Sequence, residues 1–249
     1  MSDLTILVPT RGRPQSVGRL VDAFVETGAF NDRVRLVFGY DLDDQYAESY
    51  ADEIGRHAGE LVLSQVFDTR LPMVPKLNIM AAAHAPRCEF IGFMGDDHRP
   101  RTVDWHNKFV GTLCLAPGRT GIVYGRDGLQ DRSLSTYWVM SSNLVGALGQ
   151  RMVPADVEHL YCDNAIKALG LAVKCIWYRD DVLVEHMHFL NGKSPMDPQY
   201  ALVNSAQQYD RDGMAFEEWE RNKLSAQAET VRFLIRELTH GGRSKLRDS

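Results

Sequence analysis

The stretch Phe90-Ile91-Gly92-Phe93-Met94-Gly95-Asp96-Asp97-His98-Arg99-Pro100 joins two incompatible chemistries. Residues 90–94 are apolar or glycine, and the run has the length of a buried strand. At Gly95 it stops. Two carboxylates, an imidazole and a guanidinium follow before Pro100 closes the segment. Adjacent carboxylates repel unless something cationic stands beside them. A divalent cation is one remedy, because hard ions such as Mg2+ and Mn2+ favour carboxylate oxygen. Gly-Asp-Asp is also ordinary turn chemistry. The segment alone leaves a metal-binding tip and a polar turn both open.

The preceding chain gives this strand its setting. Leu4-Thr5-Ile6-Leu7-Val8 reads as a buried first strand running into Pro9-Thr10-Arg11-Gly12-Arg13-Pro14. A helix follows, with Val17, Leu20, Val21 and Phe24 at helical spacing and Gly28 near its end. Val34 to Tyr40 is a second strand and ends in Asp41, Asp43 and Asp44. Tyr46 to His57 reads as a helix, Leu61-Val62-Leu63 as a third strand, and Pro72 to Ala85 as a helix carrying Lys76 and Asn78 near its start. This strand–helix alternation predicts an α/β fold with a mostly parallel sheet. Ligands of such sheets bind beyond the carboxyl ends of the strands. The charged clusters fall at those ends. Arg11 and Arg13 can fork onto phosphate oxygens, but the junction lacks the glycine pattern of a P-loop or a dinucleotide fingerprint.

The second half is less regular. Helices are predicted over Val103 to Leu115, Asn143 to Gly149 and Val157 to Gly170. Strands are predicted over Gly121 to Gly125, Leu171 to Trp177 and Val182 to Glu185, with a weak one at Ser135 to Ser141. Ala215 to Thr239 reads as one long charged helix bracing the outside. With 249 residues, 44% of them hydrophobic, the chain can bury a core of one large domain with a small annex. A net charge of -5 speaks against general nucleic-acid binding. Cys88, Cys114, Cys162 and Cys175 are widely spaced, as expected of reduced thiols rather than a disulfide framework or a zinc site. No apolar stretch is long enough to cross a bilayer and the N-terminus has no basic leader, so a cytoplasmic location is expected.

In order and spacing, the Pro-Thr-Arg-Gly-Arg-Pro loop, the acidic tip after strand two, Lys76-Leu77-Asn78 and Phe93-Met94-Gly95-Asp96-Asp97 resemble the GT-A class of nucleotide-sugar-dependent glycosyltransferases, in its family-2-like branch. The resemblance runs from Leu4 to about His188. It implies a Rossmann-like, mostly parallel sheet flanked by helices, in a catalytic domain over 1–190. Residues 1–100 would bind the nucleotide sugar and 101–190 the acceptor, with a C-terminal loop and helical extension over 191–249. It also implies a hexosyl-type transferase that uses a nucleoside-diphosphate sugar as donor, Mn2+ or Mg2+ as cofactor, and a glycan, protein or small molecule as acceptor.

The family's motifs carry over to particular residues. Pro9, Thr10, Arg11 and Arg13 correspond to the donor loop, and Asp41, with Asp43 as rival, to the acid that contacts base or ribose. Lys76 and Asn78 correspond to the helix start beneath the diphosphate. Asp96 falls toward ribose or diphosphate, Asp97 on the metal, and His186 where some members supply an extra metal ligand. Asp163 corresponds to the general base of inverting members, with Cys162 where a first acid usually stands.

Plainer readings stand beside these. Asp163 can be a helix-start carboxylate and His186 a hydrogen-bonded strand histidine. His186 and His188 share one strand face. Tyr137 and Trp138 read as core, His98 as surface or outer contact, and Arg99 as solvated. A sugar-1-phosphate nucleotidyltransferase and a non-catalytic nucleotide- or glycan-binding module are the competing functions. The first calls for a longer glycine-rich loop than Pro9 to Pro14 provides.

Overall fold

The computed structural model describes residues 4–32, 34–196 and 198–244. Strand β1 (Leu4–Pro9) is buried along its whole length, as a parallel strand covered on both faces must be. It pairs in parallel with β2 (Arg35–Asp41) on one side and β4 (Phe90–Phe93) on the other, and β2 pairs in parallel with β3 (Val62–Phe67). Helices α1 (Gln15–Glu26), α2 (Ala47–His57) and α3 (Met73–His84) make the crossovers.

Beyond β4 the sheet becomes mixed. β7 (Trp138–Ser141) runs antiparallel to both β4 and β6 (Ile122–Arg126). β8 (Ile176–His186) lies parallel to β6, with an irregularity in register at Gly125/Arg126. The short β5 (His98–Pro100) pairs antiparallel with β8. The strand order is β3-β2-β1-β4-β7-β6-β8-β5.

Alternation along β1 sends side chains into two cores. Ile6 and Val8 join Val17, Leu20 and Phe24 of α1, together with Trp105 and Phe109 of α4 (Trp105–Cys114). Leu7 joins Leu77 and Met80 of α3, and beyond them Ile166 and Leu169 of α6 (Cys162–Val173). Gly92 lets β4 sit at the centre, because a Cβ there would lie 2.6 Å from Ile6 Cδ1 and 2.9 Å from the Trp138 carbonyl oxygen.

Three local expectations change. Residues 176–186 form one continuous strand rather than two, and Leu171 belongs to α6. Residues 157–160 are irregular, so α6 starts at Cys162, directly after Tyr161 with its positive φ of 62°. The long C-terminal helix is two helices, α8 (Ala206–Asn222) and α9 (Leu224–Ser244), broken at Lys223. They follow α5 (Ser142–Ala147) and α7 (Pro198–Val203) in the numbering. Periodicity reports which face is buried, and both helices bury a stripe on the same core, so the pattern runs through the break.

The irregular loop before α6 is held by α8. Asp212, fully buried, accepts the backbone N–H groups of Glu158 (2.8 Å), His159 (2.9 Å) and Leu160 (2.7 Å), and the amide of Gln208 (2.9 Å). Asp212→Ala strips these donors of their acceptor and is expected to lower the unfolding free energy by about 3 kcal/mol or more in urea titration. The same change at exposed Asp210 should have little effect.

Candidate active site

The carboxyl ends of β1, β2 and β4 deliver their polar residues to one edge of the sheet. A cavity of about 640 Å³ lies there. Pro9, Thr10, Arg11, Arg13 and Lys76 line it together with Asp96, Asp97, Asp163 and His186. Asp41 lies beneath this lining, fully buried. Its Oδ2 accepts both Lys76 Nζ (2.7 Å) and Arg11 Nη1 (2.9 Å). Its Oδ1 is buried with no hydrogen-bond partner among the described residues. Asp43 binds Arg11 from outside at 2.7 Å and takes the Arg70 amide N–H. Burial pushes the Lys76 ammonium below its ordinary pKa, and Asp41 opposes that shift.

Asn78 is engaged elsewhere. Its side chain accepts the backbone N–H groups of Met152 and Val153 (2.9 Å each) and donates to the Val153 carbonyl (3.2 Å). It ties down a loop and does not line the cavity. Lys76 and Asn78 stand two apart on α3, and a helix turns residues two apart away from each other.

The acidic tip has an ordered division of contacts. Asp96 Oδ2 accepts the Thr10 hydroxyl (2.6 Å), and its Oδ1 lies 3.3 Å from Arg13 Nη1. Burial pushes its carboxyl up to about 6, with Arg13 pulling against the shift and the Asp97 charge adding to it. Asp97 Oδ2 accepts the Tyr200 hydroxyl (2.5 Å) and lies 3.4 Å from His186 Nε2; Oδ1 lies 3.3 Å from His98 Nδ1. Burial opposes ionisation of Asp97, but His186 and His98 outweigh it and hold the group well below the usual carboxylate range. In return Asp97 raises His186 against its own burial.

Gly95 makes the tip possible. A Cβ there would sit 2.6 Å from Asp97 Oδ1 and 2.9 Å from His98 Nδ1, and the glycine N–H donates to that nitrogen (3.0 Å).

His98 belongs to the centre, against the expectation of a surface or outer position. It is 2% exposed, and the β5–β8 register sets it directly opposite His186, with the rings stacked at 4.3 Å. Asp97, His98 and His186 each offer a ligand atom within 4.8 Å of the others. One carboxylate and two imidazoles form a donor set that fits a first-row transition ion better than Mg2+, which favours oxygen. Arg99 is buried rather than solvated and donates to the carbonyls of Asp96 (2.7 Å) and His98 (2.6 Å), fixing the backbone of the tip. His188 takes the Leu190 N–H at its Nδ1 (3.2 Å), and burial lowers it to about 4.

Asp163 stands in the first turn of α6 on the cavity wall. Burial raises its carboxyl to about 6, against a local hydrogen bond from the Asn164 N–H (2.9 Å). Tyr137 and Trp138 are fully buried core residues. Two contributors had no signal in the sequence. Tyr200 of α7 holds Asp97 and lies under Arg13 at 3.9 Å. His159, lowered by burial to about 4, lines the cavity from the loop that Asp212 anchors.

No protein-family model matches the sequence, and a search among curated proteins finds no relative. Solved structures do match. A Pyrobaculum calidifontis mannosyltransferase in complex with GDP-Man and Mn2+ aligns over 92% of this chain and 72% of its own, at 15% identity and a TM-score of 0.59. S. aureus TarS 1-349 aligns over 98% of this chain and 92% of its own, at 9% identity and a TM-score of 0.58. Glucosyl-3-phosphoglycerate synthase from Mycobacterium tuberculosis, in complex with Mn2+, UDP-glucose and phosphoglyceric acid, aligns over 85% of this chain and 80% of its own, at 12% identity and a TM-score of 0.56. The fold is GT-A. The GT-A sheet here ends in β5 and β8, whose pairing builds the two-histidine centre. Among the described residues no helix is long and apolar enough to cross a membrane.

Lys76→Met would leave the buried Asp41 with Arg11 as its cationic partner. It is expected to destabilise the fold by about 3 kcal/mol, read as a lowered midpoint in thermal or urea unfolding.

Proposed function

We propose that the chain is a metal-dependent glycosyltransferase that moves a sugar from a nucleoside-diphosphate sugar to an acceptor hydroxyl. The observation that carries this reading is the convergence, on one cavity at the carboxyl edge of a GT-A sheet, of a carboxylate–imidazole cluster, a cationic loop and a raised carboxylate. The Mn2+ and nucleotide sugars bound by structural neighbours support it.

Asp97 and His186, with His98 beside them, would hold the ion, and the donor set favours Mn2+ over Mg2+. When bound, the ion supplies Lewis acidity and a template for the diphosphate. Arg13 lies beside both acids of the tip and brings further positive charge to the same wall. Asp96, held by Thr10 and Arg13, faces the donor side, and Asp41 sets the positions of Lys76 and Arg11.

Asp163 is the general base. A carboxylate raised to about 6 is ionised at neutral pH yet more basic than an ordinary aspartate. It takes the acceptor hydroxyl proton as the acceptor oxygen bonds to the anomeric carbon. The bond from that carbon to the diphosphate oxygen breaks, and its electron pair leaves with the diphosphate. One displacement of this kind inverts the anomeric centre.

A nucleotide-release screen across UDP-, GDP- and dTDP-sugars, with and without Mn2+, tests the class. Mn2+-dependent release from one donor is expected, and failure of every nucleoside diphosphate to bind with metal present would overturn the reading. Asp163→Asn should lower kcat by about 100-fold or more while donor affinity holds. The base is active when deprotonated, so wild-type kcat/KM should fall as pH drops through about 6 and level off above it.

A further inference from the structure

His186 stands between two carboxylates. Its Nε2 faces Asp97 Oδ2 at 3.4 Å, and its Nδ1 lies 3.9 Å from Asp127 Oδ2. That Nδ1 is buried and has no hydrogen-bond partner among the described residues. Asp127 directly follows β6 and is 1% exposed. The two residues are also joined through the backbone, where the His186 N–H donates to the Asp127 carbonyl (2.9 Å).

The two oxygens of Asp127 do different work. Oδ1 accepts three successive backbone N–H groups, from Leu129 (2.8 Å), Gln130 (2.7 Å) and Asp131 (2.8 Å). It caps the turn alone, as an asparagine side chain would. Oδ2 takes the Thr136 hydroxyl (2.8 Å) and otherwise points to the imidazole. Capping therefore does not account for a carboxylate at this position.

We infer that Asp127 is a positioning residue that keeps the His186 proton on Nδ1, leaving the Nε2 lone pair directed at the metal centre with Asp97. A neutral imidazole carries one proton, and the acceptor beside one nitrogen decides which nitrogen holds it. A carboxylate behind a ligating histidine selects the tautomer and the ring orientation together. With Asp97 on one side and Asp127 on the other, Asp127 keeps its claim on Nδ1–H once Asp97 is engaged by a cation. The inference rests on the metal centre proposed above.

Asp127→Asn separates this role from capping. The three backbone donors hold the amide oxygen in the place of Oδ1, so the NH2 group takes the place of Oδ2. It still faces the Thr136 hydroxyl, whose oxygen can accept. Toward His186 it presents an N–H donor in place of an acceptor, which removes the group that favours a proton on Nδ1.

The test is Mn2+ titration calorimetry on the full chain, with 15N–1H spectra of the His186 ring recorded with Zn2+ bound, a diamagnetic ion that engages Asp97 without broadening the signals. Asp127→Asn is expected to weaken Mn2+ binding about 10–100-fold, and the Zn2+-loaded wild type to carry the His186 proton on Nδ1. A variant that binds Mn2+ as wild type does, or a Zn2+-loaded wild-type His186 protonated at Nε2, would overturn the inference. The second result needs no variant, so it stands even if Asp127→Asn does not fold. Absence of both Mn2+ and Zn2+ binding by wild type would overturn the metal reading instead.

Discussion

Two carboxylates on consecutive residues, set at the buried end of a central strand, are the constraint around which the rest of the site is arranged. Asp96 and Asp97 cannot both ionise in that setting without local positive charge. The structure resolves the conflict by dividing the pair. Asp96 receives a hydroxyl and one arginine contact at 3.3 Å and stays raised; Asp97 receives two imidazoles and a phenol and stays ionised. The cluster of ligand atoms, the stacked histidines and the buried Arg99 all follow from keeping that one carboxylate charged at a sheet edge.

The C-terminal helices are part of this arrangement. Tyr200 of α7 reaches Asp97, and Asp212 of α8 holds the loop that leads into α6 and Asp163. One end of the cavity thus depends on residues more than a hundred positions away from the tip. The same helices complete the core, since Trp219 and Val231 pack with the α6 side of the sheet. Stability of the C-terminal packing and geometry of the site are coupled through these contacts.

Much of this was legible in the sequence because it lies on regular elements. β1 to β4 and their crossovers follow hydrophobic periodicity, and the tips at Thr10, Asp41 and Asp96 fall at strand ends, where parallel sheets gather ligands. What escaped were side chains whose roles depend on which partner they meet. Asn78 was read as a donor-site residue, yet its amide closes on Met152 and Val153. His98 was read as peripheral because nothing local announces that β5 pairs with β8. Lys223 breaks a helix that periodicity alone runs straight through.

The sequence by itself determined the α/β alternation, the parallel first half and the acidic tip after β4, because strand burial and helix amphipathicity are written in local spacing. The tertiary structure alone decided how that tip is neutralised. His98 meets His186 through a strand register 88 positions apart (98 to 186), and Tyr200 and Asp127 meet the same centre through packing. The physical reason is range. Periodicity encodes which face of an element is buried, whereas the pKa and tautomer of a buried group are set by charges and hydrogen bonds within a few ångströms, whatever their distance along the chain.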